Sequence, residues 1–300
     1  MPSSSDSFTL GLVQMRMSTE KSANLQAAMQ HVRTAAARGA QIICLPELFL
    51  TPYFCQSEDC NVFDLAEPIP GETTQQLGAL ARELKIVLIA SLFERRMPGV
   101  YHNTAVIFDV TGDIAGIYRK MHIPDDPLYY EKYYFTPGDL GFKAIPTHYA
   151  KIGVLVCWDQ WYPEGARLTA LAGAEVLLYP TAIGWHPKEK AQYGVAQHQA
   201  WEISQRGHAV ANGIYVAGIN RIGHEPSPPG ATSPDGIEFW GQTFLSDPQG
   251  GIIHRASVDQ EEIIVLPCER RKMEDVRRNW PFFRDRRIDA YGEITKRVRD

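Results

Sequence analysis

Short runs of aliphatic and β-branched residues alternate with helix-patterned segments along most of this chain, and that alternation restricts the fold to layered α/β architectures. Residues 9–14, Thr9-Leu10-Gly11-Leu12-Val13-Gln14, read as a first strand. The spacing of Leu25, Met29 and Val32 predicts a helix over 20–38, with Ser18 or Thr19 capping its start and Gly39 closing it. A buried strand over 41–46 stops at Pro46, a second helix spans 71–84, and another strand covers 86–90.

The middle of the chain reads differently. Strands over 101–110 and 114–119 flank the turn Thr111-Gly112-Asp113. Residues 121–142 hold no sustained period and are rich in Pro, Asp and Tyr, the signature of a long ordered loop. Alternation then resumes: strand 151–156, helix 163–172, strand 176–179, helix 191–207 and strand 213–218. Antiparallel strands are expected over 240–245, 251–255 and 262–266, with a turn at Asp247-Pro248-Gln249-Gly250. A helix runs from 270 to 278, and an aromatic and basic tail follows with Trp280, Phe282, Phe283 and Tyr291. The Pro- and Gly-rich stretch 226–236 reads as a surface loop rather than a linker. No repeat period and no linker divide the chain, so one domain over 1–300 is expected, and 300 residues at 44% hydrophobic content bury a full core.

Several function classes are disfavoured at once. The formal net charge is −5, so a bulk cationic footprint for nucleic acid is absent. No stretch of about 20 apolar residues is present, so no membrane partner is expected. Residues 1–7 are polar and lack the basic flank and apolar run of a secretory signal. Five cysteines at irregular spacing suit a reducing cytoplasm with at least one free thiol. Cys55 and Cys60 lack a second pair at ligand spacing, so no metal is expected.

Three residues occupy equivalent positions. Glu47 follows Ile43-Cys44-Leu45-Pro46, Lys120 follows Gly116-Ile117-Tyr118-Arg119, and Cys157 follows Ile152-Gly153-Val154-Leu155-Val156. The carboxyl ends of strands are where α/β sheets bind ligands. Each residue alone has a plainer reading: Cys157 as a buried structural thiol, Glu47 and Lys120 as surface or ion-paired groups. Together they form a chemical set. A thiol needs a base or a cationic environment to become a useful nucleophile. Glu47 could take the proton if an apolar setting raises its pKa, and Lys120 could stabilise the thiolate and then a tetrahedral oxyanion. The backbone amide of Trp158 is the natural second donor. This set points to acyl transfer from carbon to sulfur, then hydrolysis, with no cofactor.

Leu45-Pro46-Glu47, Tyr118-Arg119-Lys120-Met121-His122 and Val156-Cys157-Trp158-Asp159 with Tyr162-Pro163-Glu164 resemble the three signature segments of the nitrilase, or carbon–nitrogen hydrolase, superfamily. The likeness extends through Trp240-Gly241 and the final strands. It implies a four-layer α-β-β-α sandwich, with Glu47 as general base, Lys120 as stabiliser of the intermediate and Cys157 as nucleophile. It further implies that Glu131, within Tyr130-Glu131-Lys132-Tyr133-Tyr134, orients Lys120 and helps position substrate or water.

Within the superfamily, residues 120–127 and 131–139 resemble amidohydrolases of N-carbamoylputrescine, and so does Cys157-Trp158-Asp159-Gln160-Trp161-Tyr162-Pro163-Glu164. The implied reaction gives putrescine, CO2 and ammonia through a carbamoyl-cysteine, in polyamine synthesis. Carbamoylases of D-amino acids in the superfamily place an arginine just after the nucleophile, where this chain has Trp158, Asp159 and Gln160. An unpaired buried carboxylate would cost several kcal/mol, so a cationic ureide is the better-matched substrate. Asp125, Asp126, Tyr130, Trp158 and Trp185 are candidates to meet the alkylammonium tail, and His122 and His186 could line the pocket or brace a neighbour. A β-ureidopropionase-like or other amide hydrolase, a nitrilase and a catalytically idle scaffold or metabolite-binding protein are the alternatives. Tails such as 270–300 serve as oligomer contacts in chains of this kind, so a homo-oligomer is expected.

Overall fold

The alternation is realised as two facing β-sheets with helices on both outer sides in the computed structural model, which describes residues 5–228, 231 and 233–299. The first part of the chain forms β1 (Ser7–Gln14), α1 (Lys21–Ala37), β2 (Ile42–Cys44), α2 (Glu72–Leu84), β3 (Val87–Met97), β4 (Val100–Phe108) and β5 (Ile114–Arg119). The one-turn α3 (Glu131–Tyr134) leads into β6 (Ala144–Pro146), β7 (Lys151–Val154), α4 (Pro163–Leu171), β8 (Val176–Pro180), β9 (Gly184–Trp185), α5 (Pro187–Asn212) and β10 (Tyr215–Ile219). β11 (Ile222–Glu225), β12 (Ile237–Trp240), β13 (Phe244–Ser246), β14 (Ile252–Arg255), β15 (Glu262–Glu269) and α6 (Arg270–Asn279) complete the elements used below.

One six-stranded sheet has the order β15-β1-β2-β3-β4-β5 and the other β14-β13-β10-β8-β7-β6, while β11, β12 and β9 form a small third sheet. In both large sheets the central three strands run parallel and antiparallel strands flank them. Strand periodicity explains the layering. Leu10, Leu12, Ile42, Cys44, Val87 and Ile89 pack in one core with Ile152, Val154, Val176 and Leu178 of the facing sheet. Their neighbours Val13, Ile43 and Leu88 pack instead on Leu25, Ala28 and Val32 of α1 and Leu77 and Leu80 of α2. On the far side, a Cβ on Gly153 would lie 2.4 Å from Thr169 of α4, so glycine is what lets that helix seat on β7. The result is the α-β-β-α sandwich.

The differences from the sequence reading have local causes. β3 runs to Met97 rather than residue 90, because it continues into a long hairpin with β4 and buries Glu94 against Arg119. α5 is 26 residues long, opening at Pro187 and ending only where Gly213 takes a φ of 57°. The strand expected over 240–245 divides between two sheets, with Gly241 and Gln242 both turning the chain at a φ of 56°. Glu20, rather than Ser18 or Thr19, occupies the N-cap of α1, and the Ser18 hydroxyl lies two residues ahead of it, accepting from the Glu20 amide at 3.2 Å and donating to Asn24 at 3.0 Å. Of the stretch expected as a surface loop, residues 229, 230 and 232 lie outside the described residues, as do residues 1–4 at the start and Asp300 at the end.

Candidate active site

Glu47 emerges just past β2, where Pro46 ends the strand and Leu48 enters the left-handed region at a φ of 46°. Its carboxylate is fully buried. Oε1 accepts from Asn103 Nδ2 at 2.7 Å and from Lys120 Nζ at 2.9 Å. Asn103, on β4, is itself oriented by Ser91 Oγ of β3 at 2.9 Å. The other carboxylate oxygen, Oε2, has no partner among the described residues. An unengaged buried carboxylate oxygen is a ready proton acceptor.

Lys120 leaves the end of β5, with its backbone N–H on Asn103 O at 2.9 Å. Its fully buried ammonium meets Glu131 at 2.9 and 2.7 Å as well as Glu47. Burial works hardest against that charge, but Glu131 and then Glu47 outweigh it and hold Lys120 well above the usual lysine range. Glu131 opens α3 and accepts from the Tyr53 hydroxyl at 2.6 Å. Burial pushes its carboxyl up to about 7, with the Lys120 ammonium pulling it down and the Glu47 charge adding to the rise. The structure therefore brings Glu47, Lys120 and Glu131 into one hydrogen-bonded group.

Cys157 sits at a sharp exit from β7 with a φ of 44°. That conformation costs an L-residue about 1–2 kcal/mol. The strain is held by Asp159, whose buried carboxylate accepts from Val156 N at 2.9 Å, Tyr118 Oη at 2.8 Å and His122 N at 3.0 Å. His122 Nδ1 adds a fourth contact to it at 2.7 Å. Burial pushes the thiol pKa well up, the Glu47 charge raises it further, and Lys120 only partly opposes them. Burial and the Glu47 charge therefore both oppose ionisation of this thiol, and the Lys120 ammonium is the group that favours it.

A cavity of about 430 Å³ opens onto Cys157. Trp158, Trp161, Trp240 and Tyr129 supply aromatic walls, and His186 joins them. Asp126 and Glu189 are its carboxylates, both exposed at the rim, and no lysine or arginine is among the described residues that line it. Of the residues expected to meet substrate, Asp126, Trp158 and His186 line this cavity and four others do not. Asp125 points to solvent and faces Lys132 at 4.0 Å. Trp185 packs against the cavity-wall residue Trp240 at 5.4 Å without lining the cavity itself, its Nε1 donating to Gly194 O at 3.0 Å beneath Lys190. His122 is spent on Asp159 and stacks on Tyr162 at 3.8 Å. Tyr130 anchors its segment through its backbone N–H to Cys55 O at 2.8 Å, and its neighbour Tyr129 faces the cavity.

Sequence reasoning missed Glu189, Tyr129, Asn103, Tyr53 and Arg221. Arg221 is fully buried and donates to the carbonyls of Glu47 at 2.7 Å and Leu48 at 3.1 Å. A polar side chain set in or just past a buried strand, Asn103 within β4 and Arg221 after β10, is the signal that could have flagged two of them.

A buried thiol on a strained elbow, beside a carboxylate and a charged lysine in an α-β-β-α sandwich, defines a cysteine hydrolase of non-peptide carbon–nitrogen bonds. The family model for carbon-nitrogen hydrolases matches residues 9–278, and this chain belongs to that family. Among its relatives, the N-carbamoylputrescine amidase of Solanum lycopersicum is 42% identical over 94% of this chain and 93% of its own. The citrullinase of Francisella tularensis is 40% identical over 96% and 98%. A crystal structure of a carbon-nitrogen hydrolase from Helicobacter pylori superposes with a TM-score of 0.94 at 45% identity, covering 98% of this chain and all of that one.

Proposed function

We propose that this protein hydrolyses N-carbamoylputrescine to putrescine, CO2 and ammonia, with Cys157 as nucleophile, Glu47 as general base and acid, Lys120 as oxyanion stabiliser and Glu131 orienting Lys120. Cys157 Sγ attacks the ureido carbon as Glu47 takes the thiol proton. Lys120 and the Trp158 amide stabilise the negative oxygen. Ammonia leaves with the proton from Glu47, and a carbamoyl-cysteine remains. Water, deprotonated by Glu47, then attacks that carbonyl and releases a carbamate, which breaks down to amine and CO2.

The observation that carries the substrate assignment is the charge of the cavity. Two rim carboxylates, Asp126 and Glu189, suit a terminal ammonium, and tryptophan walls suit a methylene chain. The citrullinase relative raises a second ureide, but the α-carboxylate of citrulline would meet no lysine or arginine among the described lining residues. The test is release of ammonia and amine from N-carbamoylputrescine, citrulline, N-carbamoyl-β-alanine and a simple nitrile. A dominant kcat/KM for the first supports the proposal, and a preference for citrulline overturns the charge argument. Cys157→Ser should fold normally and lose at least about 10³-fold in turnover, because an alcohol ionises far less readily.

The chain is read as one domain, with residues 270–300 as an extension used between subunits of a cytoplasmic homo-oligomer. Support comes from apolar groups left in solvent there, Ile288 at 75% and Ile294 at 66% exposure, with Ile294 lining one groove with Leu168 and Leu171 of α4. Five cysteines, none in a disulfide, suit a reducing compartment.

A further inference from the structure

The group least explained by the chemistry above is Arg221, a cation with no exposed surface, located between β10 and β11. Burying a guanidinium costs several kcal/mol, and a well-packed apolar side chain would often be at least as stabilising. What Arg221 holds is therefore informative. Its Nη2 donates to the carbonyls of Glu47 and Leu48, and its Nη1 to the Thr51 carbonyl at 3.2 Å. These three carbonyls span the turn that follows Glu47, the turn in which Leu48 takes its left-handed φ. Nη1 also donates to Glu225 Oε1 at 2.7 Å, and the guanidinium lies over the Phe239 ring at 5.2 Å.

Glu225 carries the connection further. Its second oxygen accepts the backbone N–H of Tyr53, and the Tyr53 hydroxyl donates to Glu131. One buried ion pair thus reaches the backbone of one active-site glutamate and the hydrogen-bond partner of the other, and neither of its members lines the cavity.

We propose that Arg221, together with Glu225, is a positioning residue: it fixes the 47–51 turn so that the free oxygen of Glu47 faces the Cys157 thiol, and through Tyr53 it sets Glu131 against Lys120. The inference rests on the reading of Glu47 as the base. Lysine at 221 keeps the charge but lacks a planar fork able to grip several carbonyls at once.

The test compares Arg221→Lys, Glu225→Gln and Glu47→Gln in the full-length protein. Turnover of N-carbamoylputrescine is measured, and so is the pH dependence of Cys157 alkylation by iodoacetamide, read by mass spectrometry. Arg221→Lys should lower kcat about 10- to 100-fold with KM within about threefold, as a displaced but intact catalytic group does. Its alkylation profile should shift in the direction of the Glu47→Gln profile. If Arg221→Lys fails to fold, Glu225→Gln decides: a selective fall in kcat supports the proposal and an unchanged kcat overturns it. A folded Arg221→Lys enzyme with kcat within twofold of the parent, or with an unshifted alkylation profile, overturns it too. If Glu47→Gln itself leaves the alkylation profile unmoved, the assignment of Glu47 as base fails instead. Because alkylation needs no ureide, a wrong substrate assignment cannot be mistaken for either failure.

Discussion

Within the site, charge and burial divide the labour among four side chains. Two carboxylates share Lys120 and hold it above the usual lysine range, while burial and Glu47 both push the Cys157 thiol up. The pH dependence of activity should therefore follow Glu131. Glu131 is raised to about 7, so as the pH falls through that value it takes a proton and Lys120 loses one of its two anionic partners. The acid limb of kcat/KM is expected near 7 rather than near the 4.5 of an ordinary glutamate. Tyr53 donates to the charged form of Glu131 and so lowers its pKa; Tyr53→Phe should move the limb to higher pH. An unmoved limb in that variant would separate Glu131 from the titration. At the rim, Glu189→Gln with Asp126→Asn should raise KM for a cationic ureide about tenfold and leave kcat nearly unchanged. An equal KM in parent and variant would remove these carboxylates from recognition.

Elements deliver these residues because the strands end where they do. Leu45-Pro46 halts β2 just before Glu47, and the residues after β7 turn tightly enough that Asp159 reaches back to Val156. That placement depends on how closely α4 lies on β7. Gly153→Ala should put a methyl group into Thr169 and Leu177, displace α4 and lower stability by about 1–3 kcal/mol, measured by urea unfolding. A neutral result would mean that the layers have slack. Periodicity made β1, β5, α1, α2 and α4 legible nearly to the residue, since each buries one face in a regular pattern. It could not show β9, β11 or β12, which are short and irregular in composition. Their pairing is set by contacts such as Gly184 lying against the backbone of Glu238, which sequence spacing does not encode.

At the scale of the whole molecule, the sandwich covers its two sheets with helices yet leaves Leu168 and Leu171 of α4 and Ile288 and Ile294 of the tail in water. If this face joins subunits, the protein should run in light scattering at a multiple of its 33.7 kDa chain mass, and Leu171→Asp with Ile294→Asp should reduce it toward one chain. A monomeric parent would discard the reading. The sequence by itself determined the layered α/β class, the order of most elements and the strand-end placement of Glu47, Lys120 and Cys157, because hydrophobic period and strand-end motifs are local properties of a chain; Glu131, inside the long loop, was legible only through the family resemblance of its segment. Only the tertiary structure decided that Glu189 rather than Asp125 joins Asp126 at the cavity, that Tyr129 rather than Tyr130 faces it, and that Trp185 and His122 stay out of its lining. It also decided that Arg221 reaches back to Glu47 across 174 residues of chain. The direction of a loop side chain is set by what packs around it in space, and those neighbours come from distant parts of the sequence.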